Sequence, residues 1–100
     1  MNFEMASART RLESLLEVNE ATSGMYVRVH GKNLILGREE THAGQTARVD
    51  RVRLTKKSVS AYLLSHKRHN GRWEGLPFNG HLDELVEVLQ GVVPHLVAPL

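Results

Sequence analysis

The sequence predicts an α+β fold: an N-terminal helix, an antiparallel β-meander of four to five strands, and a C-terminal helix packed on one face of the sheet. Three observations carry this. Apolar residues recur at helical spacing near both ends, two-residue alternation fills the middle, and Gly and Asn residues cut the middle into lengths that suit hairpins. Sequential hairpins need no crossover, so both helices are free to cover the same face. A small bent barrel is the alternative, with Gly37 and Gly44 as its bends.

From Phe3 to about Asn19, Met5, Ala8, Leu12, Leu15 and Leu16 fall three or four residues apart, with Glu and Arg between them, which is the pattern of an amphipathic helix. The polar run NEATSG, closed by Gly24, reads as a connection. Met25 to His30 alternates with Val27 and Val29 inward, and Asn33 to Arg38 returns with Leu34 and Leu36 inward, so these segments form a hairpin turned at Gly31-Lys32. EETHAGQT is polar and long enough to be a loop. Ala47 to Thr55 and Ser58 to His69 read as two further strands with Lys56-Lys57 between them. Asn70-Gly71 is the strongest hairpin signal, because a type I′ turn needs positive φ at both central residues. A short strand, Arg72 to Glu74, follows. The helix His81 to Gln90 then carries Leu82, Leu85, Val86 and Leu89, with Asn79 as cap and Gly91 as its end.

One hundred residues make one ordinary domain, 1–100, able to bury a single core. Hydrophobic residues at 41% and charged residues at 24% exclude disordered and fibrous classes. With no cysteine there is no disulfide or thiolate site, which fits a reducing compartment, and a cytoplasmic location is the expectation. The first residues lack the charged start and apolar run of a secretion signal. The apolar tail GVVPHLVAPL is far shorter than the ~20 residues a membrane span needs.

The net charge is only +2, but from Ala47 to Trp73 eight Lys and Arg residues face one acid, Asp50. If Lys56-Lys57 and Asn70-Gly71 are two-residue turns, Val52, Leu54, Val59, Ala61 and Leu63 join Val27, Val29, Leu34 and Leu36 on the core face. Arg51, Arg53, Tyr62, His66, Arg68 and Trp73 then share the other face, with Tyr26, Arg28 and His30 if the first hairpin lies alongside. Arginines that meet phosphates beside rings that stack on bases are what single-stranded nucleic acid requires. The bland reading is a second small core of Trp73, Tyr62, Leu64 and Ile35 under the C-terminal tail, rimmed by solvated arginines.

No metal or cofactor is expected, since His66 and His69 do not converge in a strand and no Walker or Rossmann pattern exists. No nucleophile elbow or oxyanion loop accompanies the Ser, His and Asp residues, so the expectation is a binding module and not an enzyme. The expected partner is single-stranded nucleic acid, then an acidic protein. The tail 92–100 has Val92, Val93, Leu96, Val97 and Leu100 between prolines. These aliphatics need a cover, for which a homodimer is favoured over folding back across the free sheet face. Deleting the tail would then leave a folded monomer.

Overall fold

The computed structural model describes residues 3–99. Helix α1 (Phe3–Glu17) precedes strands β1 (Tyr26–His30), β2 (Asn33–His42), β3 (Gln45–Lys56), β4 (Tyr62–Lys67) and β5 (Trp73–Gly80). Helix α2 (Leu82–Glu87) runs on through a π-helical turn (Val88–Val92) to a 3-10 turn (Pro94–Leu96). The strands pair antiparallel in sequence order, with β1 and β5 as edges, so the α+β meander is an open sheet and not a barrel.

One face of the sheet carries the core. Met5, Leu12 and Leu16 of α1 and Leu82, Leu85, Val86 and Leu89 of the C-terminal helix pack with Val27, Leu34, Leu36, Val52, Leu54, Tyr62 and Leu64. Helical and strand periodicities therefore bury the sets expected of them in α1, β1, β2, β3 and α2. Thr22, in the connection after α1, is fully buried and ties the helices together. Its hydroxyl donates to the Leu16 carbonyl at 2.7 Å and accepts from Gln90 Nε2 at 3.1 Å.

Strand β4 departs from expectation. Lys56 pairs with Tyr62, so the β3–β4 connection is residues 57–61, closed by Lys57 and Ser58 N–H groups donating to the Ala61 carbonyl. A two-residue turn would have set Leu54 opposite Val59; here Leu54 faces Leu64. The shift is odd in parity, so every β4 side chain changes face. Tyr62 and Leu64 enter the core, Ala61 and Leu63 are only half-buried, and Val59 is 87% exposed in the loop. Lys-Lys is a poor fit to a turn that needs positive φ, and the longer loop places the larger apolar side chains under the helices.

The segment expected as a loop, EETHAGQT, instead extends the hairpin. Beta pairing continues to His42 and Gln45, and the turn is Ala43-Gly44 at φ 52° and 80°. β1 ends its pairing at Gly37 and β4 at Val52, so residues 38–49 form a two-stranded arm beyond the sheet. A bulge at its base leaves Arg51 as the extra residue of β3. Gly37 at this point has no room for a side chain: a Cβ would lie 2.2 Å from the Val49 carbonyl and 2.3 Å from Tyr26 Oη.

At the other hairpin, Arg68 and Arg72 close a three-residue loop in which Gly71 alone takes positive φ, at 84°. The turn sits where Asn70-Gly71 places it but is of the bulged kind. β5 continues through Pro77 to Gly80, well past Glu74, because an edge strand tolerates a missing N–H. The cap of α2 is His81, not Asn79: its N–H donates to Glu84 Oε1 at 3.0 Å. The helical path passes Gly91 and ends at Val92.

The tail turns back onto the helix-covered face of its own chain, where Val97 is fully buried. Arg38, itself buried, holds it by donating to the carbonyls of Val97 (2.6 Å), Ala21 (2.8 Å) and Ser23 (2.9 Å). Burial, with Arg51 nearby, lowers the Arg38 pKa. Arg51 donates to the Ala98 carbonyl at 2.9 Å. The tail thus covers neither Ile35 nor Trp73, and the large exposed patch that motivated a tail-mediated homodimer is absent: among the described tail aliphatics Val92, at 60%, is the exposed one. Leu100 lies outside the described residues.

Candidate functional site

The sheet face opposite the helices is built by register. Arg28, Ile35, Arg53, Ser65 and Gly75 stand in one row across all five strands, and Tyr26, Gly37 and Asp50 in the next. Ile35 is buried but is not part of the main core, lying between Arg28 and Arg53 in its row. The aliphatic stems of such neighbours cover an apolar side chain while their charged heads stay in water.

Trp73, half-buried on β5, is flanked by two cations. The Arg53 guanidinium carbon lies 4.9 Å and Lys67 Nζ 5.7 Å from a ring centroid. Ser65 and Gly75 pair in the neighbouring row, and the space above Gly75 is open. Arg53 Nε is buried with no hydrogen-bond partner, so the guanidinium is held by stacking more than by polar contacts.

At the other side of the face Asp50 is the hub. It accepts from Arg28 Nη2 at 2.7 Å, from Arg28 Nε at 3.2 Å and from Tyr26 Oη at 2.6 Å. The hydrogen bonds from Arg28 outweigh burial and hold its carboxyl below the ordinary range, with help from Tyr26 and the charge of Lys67. Burial first, then the bond to Asp50, pushes the Tyr26 phenol well above its ordinary value, so it stays a neutral donor. The Asp50 hydrogen bond likewise raises the Arg28 pKa. Arg48 stacks on the Tyr26 ring at 5.0 Å.

Where the β2–β3 arm and the β4–β5 tip diverge, a cleft of about 550 Å³ opens, lined by Glu40, Arg48, Val49, Asp50, Arg51, Lys67, Arg68, His69 and Gly71. Four of the eight cations between Ala47 and Trp73, namely Arg48, Arg51, Lys67 and Arg68, thus flank one gap.

Of the six residues expected to form a platform, Arg53 and Trp73 meet on the open face. Tyr62 is a core residue, 5% exposed beneath the helices. His66 follows it to the helix side, with Nε2 3.6 Å from Glu74, and Arg68 is 3.3 Å from the same carboxylate. Arg51, the bulge residue, is held by Glu40 at 3.3 Å and by the tail. The β4 parity change moves Tyr62 and His66, and the bulge moves Arg51. Tyr26, Arg28 and His30 do join the face, because the first hairpin lies alongside β3. Lys67 and Arg48 were not among the expected set. The correct β4 parity would have found Lys67; Arg48 needed the arm to be known.

Among the described residues no three His, Asp or Glu side chains are grouped to hold a metal ion, and no helix is long and apolar enough to cross a membrane. Comparison of the chain with protein-family models, with curated proteins and with solved structures finds no match.

Proposed function

We propose that the chain is a non-catalytic binding module that takes single-stranded nucleic acid on the helix-free sheet face. The observation that carries the reading is the half-exposed Trp73 between Arg53 and Lys67, with Tyr26 and Arg48 as a second ring and cation across the face. A base stacked on an aromatic side chain gains ~1 to 3 kcal/mol whatever its identity, and adjacent cations meet its phosphates. Asp50 does not oppose this strongly, because Arg28 neutralises it at 2.7 Å. A cytoplasmic, reducing setting belongs to the same reading and is motivated by the absence of cysteine.

Trp73 is the single tryptophan of the chain, so its fluorescence reports on this face alone. Titration with oligothymidylate at low salt is expected to quench it, with affinity falling steeply as salt rises. Trp73→Leu is expected to weaken binding, measured by anisotropy of a labelled oligonucleotide, about tenfold. Unchanged fluorescence and no mobility shift with any single strand at low salt would remove this reading and favour an acidic protein as partner.

A further inference from the structure

The cleft between the two diverging hairpins lies beside Trp73, and Lys67 belongs to both: it flanks the indole and lines the gap. The two acids of the cleft are occupied, Asp50 by Arg28 and Glu40 by Arg51. Arg48, Lys67 and Arg68 remain to face a ligand. Arg48 meets Glu39 only at 3.9 Å, with both side chains 64% exposed, and Arg68 meets Glu74 at 3.3 Å, with both half-exposed. Exposed pairs of this kind are worth little and exchange readily for another anion. β3 has no strand neighbour on this side before Val52, so its main chain is open to the gap as well.

Resting on the reading above, we infer that this cleft seats the backbone phosphates of the strand whose base stacks on Trp73. Its volume, about 550 Å³, lies in the range that encloses a drug-sized ligand, so one or two nucleotides of an extended strand fit and a duplex does not. The strand therefore crosses the face at Trp73, passes Lys67 and enters the gap between Arg48 and Arg68. Full affinity needs more than one nucleotide, and single strands are preferred over duplex of the same length.

The test uses the full chain and oligothymidylates of increasing length, read by Trp73 fluorescence, in the unmodified protein, in Arg48→Ala with Arg68→Ala, and in Lys57→Ala at the opposite end of the sheet. Affinity is expected to rise with length and then level once the strand reaches the cleft. The double variant should lose about tenfold for the longer strands and lower the salt slope by about 1.4, the share of two phosphates on a single strand. Arg68→Ala alone, which leaves every residue of the sheet face in place, should leave quenching by the mononucleotide unchanged, and Lys57→Ala should behave as unmodified protein. Equal affinity and slope for unmodified and double-variant protein, with quenching intact, would overturn the cleft while the sheet-face reading stands. Absence of quenching by every length in the unmodified protein would overturn both.

Discussion

Asp50 shows how one residue gives the open face its electrostatic character. Arg28 and Tyr26 both hydrogen-bond to its carboxylate, and its pKa lies below the ordinary value chiefly because of Arg28. The sign follows. An unfolded chain takes up the proton in the ordinary range near pH 4, while the folded chain resists until lower pH. The stabilisation is therefore complete above that range and is lost as pH falls through the depressed folded value. Urea midpoints of the unmodified protein and Asp50→Asn are expected to differ at pH 7 and to converge towards pH 2. A gap that persists undiminished to pH 2 would show that the carboxylate is not held in this way.

Among the elements, β4 carries the sharpest consequence. Its parity puts Leu64 fully in the core opposite Leu54 and leaves Leu63 half-buried on the other side. Leu64→Ala should cost ~2 to 5 kcal/mol, the range for emptying a packed site, whereas Leu63→Ala should cost less than half of that. Chemical denaturation of the two variants separates the registers, because the two-residue Lys56-Lys57 turn reverses the order of the effects. The alternation of β4 was legible, but its phase was not. Tyr62-Leu63-Leu64 offers an apolar residue to either face, so the decision fell to the loop length. The same ambiguity explains why Arg53 and Trp73 reached the site while Tyr62 and His66 did not.

For the whole molecule, the tail acts as an internal part of the core. Val97 is fully buried, and Arg38 spends one of its three backbone contacts on the Val97 carbonyl. Removing residues 92–100 deletes a buried aliphatic and leaves a buried guanidinium short of an acceptor, a combination that costs several kcal/mol. The truncated chain is expected to melt well below the full one by circular dichroism, where the sequence alone had suggested a folded monomer. A truncated chain as stable as the full one would show that the tail only rests on the surface. Arg38→Leu provides the companion measurement, since it removes the clamp without shortening the chain.

The sequence by itself determined the order of elements, the faces of α1, β1, β2, β3 and α2 that meet in the core, the place of the Asn70-Gly71 turn and the local excess of cations. These are short-range properties: side-chain periodicity and turn chemistry act within a few residues and need no knowledge of the rest of the chain. Only the tertiary structure decided the face of β4, the β2–β3 arm, the bulge at Arg51 and the side on which the tail lies. The face of β4 and the side of the tail depend on comparing burial between segments far apart, Leu64 against Leu54 and Val97 against Arg38. A period of two states that side chains alternate, but which of the two sets is buried is settled by what packs upon them.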